Sequence, residues 1–103
     1  MSRIEKLLEY LQTNEQDSFL QHALALEYIK IGQDSEAESL FNSILQREPG
    51  YVGSYYHLGK LQERKGAYDA AIETYTKGMA EAQKAGDRHA YSELQMAKEE
   101  IEE

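Results

Sequence analysis

The apolar positions of this chain recur at helical spacing from end to end. Ile4, Leu7, Leu8 and Leu11 stand at i, i+3, i+4 and i+7 and predict a helix over residues 3–12. A polar break, Thr13 to Asp17, follows. Ser18 is then placed to cap a second helix, with Gln21 as its capping-box partner three residues on. Leu20, Leu24 and Tyr28 form the stripe of that helix, and Gly32 ends it. Asp34 or Ser35, the latter boxed with Glu38, caps a third helix carrying Ala37, Leu40, Phe41, Ile44 and Leu45, which Pro49-Gly50 stops. A fourth, roughly Tyr51 to Lys65, turns Tyr55, Leu58 and Leu61 inward and closes at Gly66. A fifth, from Tyr68 to Ala85, carries Ala71, Ile72, Tyr75 and Met79. Gly86-Asp87 turns the chain into a last helix with Ala90, Leu94, Ala97 and Ile101. No segment alternates polar and apolar over strand length. The fold class expected is all-α, with about six helices, and turns this short pack successive helices antiparallel.

A second order lies over the first. Leu24 and Leu58, Gly32 and Gly66, Ala37 and Ala71, and Phe41 and Tyr75 are each separated by 34 positions; Ala25 and Gly59 pair two small residues at the same separation. A fixed period of that length marks stacked repeats. Within each repeat small residues stand opposite bulky ones, as close helix packing requires: Ala25 and Gly59 on the first helix, Ala37 and Ala71 on the second, Phe41 and Tyr75 supplying the bulk.

On these residues, segments 18–51 and 52–85 resemble two tetratricopeptide repeats. The first copy rests on Leu24-Ala25, Tyr28, Gly32, Ala37, Phe41 and Pro49. The second rests on Tyr55, Leu58-Gly59, Gly66, Ala71 and Tyr75. Departures are Gln62 where the first copy has Tyr28, Gly78 where the family prefers Ala, and Glu15 and Gln83 where Pro49 would recur. Residues 3–12 resemble the second helix of an earlier repeat, and residues 88–101 a first helix that caps the stack. The organisation expected is one helical-repeat domain over residues 1–103, a helix-hairpin solenoid of two full repeats flanked by single helices.

Composition narrows the function. Nineteen acidic against eleven basic residues give a net charge of −8. That opposes a general nucleic-acid binder, which needs a basic footprint, and an anionic membrane surface. Eight tyrosines invite a base-stacking reading, but the basic surface it needs is missing. No apolar run reaches the ~18–20 residues that span a bilayer, and the start, Met1 to Lys6, does not read as a signal peptide; the cytoplasm is the expected location. The chain has no cysteine. His22, His57 and His89 lack near-sequence ligands, so no metal is expected, and no phosphate loop, nucleophile elbow or triad appears. No catalytic residue and no cofactor are expected.

The resemblance implies where binding would occur: in that family the first helix of each repeat lines a concave groove that takes peptides. Carried over, this gives Phe19, His22, Leu26, Ile29 and Lys30 in the first repeat, and Tyr56, His57, Lys60 and Arg64 in the second. The first set is an apolar strip at i, i+3, i+7, i+10 and i+11. The second is an aromatic with three candidate cations. It suits a peptide with apolar anchors and an acidic group or C-terminal carboxylate. The competing reading pairs Lys60 and Arg64 with Glu63, Glu27 or other neighbours. Family members that clamp acidic chaperone tails use groove Lys and Asn, and His22, Leu26 and His57 do not match that pattern. The expected function is a non-catalytic protein–protein interaction module binding a peptide in its groove; homo-oligomerisation through the groove or the stack ends is the alternative.

Overall fold

The computed structural model describes residues 1–103 as six helices without strands: α1 (Arg3–Thr13), α2 (Ser18–Lys30), α3 (Asp34–Arg47), α4 (Gly53–Arg64), α5 (Tyr68–Ala85) and α6 (Arg88–Glu102). They form two packing units, residues 1–48 with α1 to α3 and residues 49–103 with α4 to α6. In the first, α2 packs on α1 and on α3; in the second, α5 packs on α4 and on α6, and α6 also touches α4.

The 34-residue frame is a packing frame. Leu24, Ala25, Ala37 and Phe41 are buried in the α2–α3 hairpin, and Leu58, Gly59, Ala71 and Tyr75 repeat them in the α4–α5 hairpin. The copies differ where their aromatic differs. Tyr75 lies so close over α4 that a Cβ at Gly59 would sit 2.1 Å from its Cε1, and its hydroxyl donates to Glu63. Burial and that carboxylate push the Tyr75 hydroxyl far above its ordinary pKa, so the phenol stays protonated. Gly78 has the same origin: a Cβ there would meet Tyr55 Cβ at 2.7 Å and Leu94 Cδ1 at 2.9 Å.

Gln62, which breaks the aliphatic pattern, is buried and accepts a 2.6 Å hydrogen bond from Thr74 Oγ1. In the first copy the positions of Gln62 and Thr74 are held by Tyr28 and Leu40. Thr74→Val is therefore expected to cost about 1–3 kcal/mol by stranding the amide oxygen, whereas adding Gln62→Leu recovers most of it. Urea midpoints of the two single variants and the double variant measure this; additive losses would show that the pair is not coupled.

Several local expectations are corrected. Asp17, not Ser18, caps α2, accepting from the Leu20 backbone N–H at 3.0 Å. Ser18 is buried instead: it donates to Glu48 and accepts from Arg47 Nη2 at 2.8 Å, and the same nitrogen reaches Gln21 Oε1 at 3.0 Å. The predicted box partners thus tie the start of α2 to the end of α3. Neither Asp34 nor Ser35 caps α3; Gln33 holds that position without a side-chain bond. The one full capping box, Ser2 with Glu5, opens α1. Leu8 is 44% exposed, because Leu7 takes the buried side of α1. The expected turns hold: Gly32, Gly66 and Gly86 have φ of 77°, 82° and 70°, the left-handed values that release a helix, and Asp87 caps α6.

Candidate functional site

In the first unit the hairpin contacts of Leu24 and Ala25 leave a second face of α2 uncovered. Phe19 stands at its start, 71% exposed. His22, Leu26 and Ile29 follow, half-buried, and Lys30 is exposed. His22 sets its ring edge-on to buried Phe41, centroids 5.4 Å apart, so its position is fixed by the core beneath. Lys30 lies 2.9 Å from Glu27, which also receives Arg3 at 3.4 Å. Exposed Phe19 and half-buried His22, Leu26 and Ile29 thus stand on α2, with Lys30 paired to Glu27 at its end.

In the second unit the corresponding face of α4 carries Tyr56, His57 and Lys60, half-buried, and Arg64, exposed. Tyr56 and His57 meet edge to face at 5.7 Å, and Lys60 Nζ lies 5.5 Å from the Tyr56 ring centroid. Burial lowers the His57 pKa, with Glu93 pulling the other way, so the imidazole is not a standing cation at neutral pH. Lys60 Nζ is 3.6 Å from Glu63, the carboxylate that takes the Tyr75 hydroxyl.

That geometry weakens the case for three free cations on this face. One of its three candidate cations is neutral by burial, and another is paired within its own helix. Across from them α6 contributes Glu93, Met96, Ala97 and Glu100, which with Tyr56 and Lys60 line a cleft of about 120 Å³. Glu93, Met96 and Glu100 are not among the groove residues expected from the sequence. Their spacing, i, i+3 and i+7 with Glu93, was the available signal. A larger hollow of about 380 Å³ lies at the α5–α6 turn, between Ala82, Gln83, Gly86, Asp87 and Tyr91, Ser92 on the facing helix start. Nowhere do three His, Asp or Glu side chains converge as metal ligands would. No helix is long and apolar enough to cross a membrane.

A family model of the tetratricopeptide repeat matches residues 29–98. A solved tetratricopeptide repeat domain protein of Salinibacter ruber is 45% identical, with a TM-score of 0.81 over 84% of this chain and 96% of that one. A solved protein of Bordetella parapertussis superposes with a TM-score of 0.84 at 25% identity, covering 98% of this chain and 88% of that one. Among curated proteins, a tetratricopeptide repeat and J domain-containing co-chaperone of Fusarium oxysporum is 35% identical over 74 residues, 72% of this chain. The chain spans only 13% of that relative's length.

Proposed function

Since the chain belongs to the tetratricopeptide repeat family, whose folds generally act as protein–protein interaction modules, we propose that it binds a peptide segment of a partner protein without catalysis. The contact residues are Phe19, His22, Leu26, Ile29 and Lys30 on α2, and Tyr56, His57, Lys60 and Arg64 on α4. The observation that carries the reading is Phe19. A phenylalanine left 71% exposed at the head of a half-buried apolar strip is an anchor that the chain's own packing does not use. An acidic group on the partner, the finer expectation, has little support on α4, where Lys60 already lies 3.6 Å from Glu63 and shares a cleft with Glu93 and Glu100.

A photo-crosslinking residue placed singly at Phe19, at Tyr56 and, as an off-face control, at exposed Tyr68 on α5 tests this. Partner adducts are expected from the first two positions and not from the third. Equal yields from all three, or none, would overturn it. Homo-oligomerisation is the second reading, and it predicts adducts of twice the chain mass in the purified protein alone, with a light-scattering mass that rises with concentration.

A further inference from the structure

The lining of the α4–α6 cleft holds more acid than base. Its α4 wall offers Tyr56 and Lys60 and its α6 wall Glu93, Met96, Ala97 and Glu100. Two glutamates therefore share the lining with one lysine, whose ammonium already stands 3.6 Å from a third carboxylate, Glu63. Lys60 Nζ, 5.5 Å from the Tyr56 ring centroid, is the one cation in the lining, and Glu93, Glu100 and neighbouring Glu63 outnumber it three to one. The cleft also has an apolar wall. Met96 is 63% exposed, a flexible thioether at the lip with buried Ala97 beside it. At about 120 Å³ the space admits the end of one side chain and no more. Acid at the rim, a polarizable apolar lip and side-chain dimensions together describe a receptor for a long side chain with a cationic head.

We propose that this cleft takes an Arg or Lys of the partner segment, its aliphatic stem against Met96 and its charged head at Glu93 and Glu100. This rests on the protein-binding reading above and fixes the charge of what is bound. It also reverses the role of Lys60: the residue is a like charge beside the guest and weakens its binding.

The test uses the full chain and capped pentapeptides, Ala-Leu-X-Leu-Ala, with X as arginine, lysine, citrulline or glutamate. Binding is followed by titration of the Met96 methyl resonance. The arginine and lysine peptides are expected to shift it saturably, with arginine about fivefold tighter than its neutral isostere citrulline, the scale of a partly exposed ion pair or two. Glu93→Gln with Glu100→Gln removes that preference, and added salt erodes it. Lys60→Gln strengthens arginine binding; a receptor for an acidic group would lose affinity with the same change. Circular dichroism of each variant shows that the helices are retained. Equal binding of arginine and citrulline peptides overturns the proposal, as does tighter binding of the glutamate peptide, weaker arginine binding by Lys60→Gln, or a Met96 methyl that no peptide moves. Crosslinks from Phe19 and Tyr56 that persist in any of those cases would leave the protein-binding reading standing and remove only the charge assignment.

Discussion

Gly59→Ala is expected to destabilise the fold by about 2 kcal/mol, although alanine is the better helix former. The intrinsic gain of replacing glycine inside a helix is roughly 0.5–1 kcal/mol. Against it stands a Cβ placed 2.1 Å from Tyr75 Cε1 and 2.6 Å from Cζ. No real contact is that short, so the ring must move. It is fully buried, and its hydroxyl is tied to Glu63. Moving it disturbs packing and hydrogen bond together, and overfilling a core site costs about 1–3 kcal/mol, occasionally more. The clash outweighs the propensity. The cycle with Tyr75→Leu isolates the cause: on that background Gly59→Ala should be neutral or stabilising. Urea midpoints of the four proteins decide the matter, and an unchanged midpoint for Gly59→Ala alone would show that the ring does not lie over α4 as described.

The first copy makes the same point in reverse. Ala25 and Phe41 occupy the equivalent places, both fully buried, and there a methyl group is accommodated opposite the smaller ring. The pairs Ala25 with Phe41 and Gly59 with Tyr75 are two solutions to one spacing. The phenol oxygen of the second gains a carboxylate partner and needs the space that glycine leaves.

That exchange was half legible in the sequence. The period identified which positions face each other, and the alternation of small and large said why. It did not say that glycine was needed over alanine, because the position of an aromatic ring is set by its hydrogen-bond partner as much as by the helix under it. The capping residues misled for a related reason. Ser18 and Gln21 have the right types and spacing for a box, yet Asp17 stands one residue earlier and Arg47 and Glu48 arrive from the far end of α3 to engage both side chains. Local rules lose there to partners distant in sequence. The phase of α6 was legible, since Leu94 and Ala97 of its expected stripe are buried. The α4–α6 cleft was not, because Met96 and Glu100 lie beside that stripe and gain a site only from Tyr56 and Lys60, distant in sequence. The candidate α2 face came from the resemblance, and burial does not set it apart: Leu20 and Tyr28 of the expected stripe are half-buried, as are His22, Leu26 and Ile29.

Leu94→Ala is expected to cost about 2–5 kcal/mol, the range for emptying a core leucine site, and to fall in the upper part of it. The residue is 1% exposed and is the largest fully buried side chain that α6 contributes. Its Cδ1 fills the notch left by Gly78, beside the Cβ of Tyr55. A cavity there cannot close easily, because Gly78 has no side chain to relax into it and Tyr55 is held by a 2.5 Å hydrogen bond from its hydroxyl to the Pro49 carbonyl. Leu94→Met, which keeps the volume, should cost under about 1.5 kcal/mol. Removal of residues 88–103 extends the same argument: it uncovers Gly78 and Ala82 along α5, both buried in the intact chain. Contiguous apolar surface of that kind drives association, so the truncated chain is expected to self-associate or lose solubility. Thermal melts followed by circular dichroism, with light scattering on the same samples, read both effects. A truncated chain that stays monomeric and melts with its parent would make α6 an appendage. It would also remove one wall of the proposed cation cleft, since Glu93, Met96 and Glu100 would then lie on a helix with no fixed place against α4.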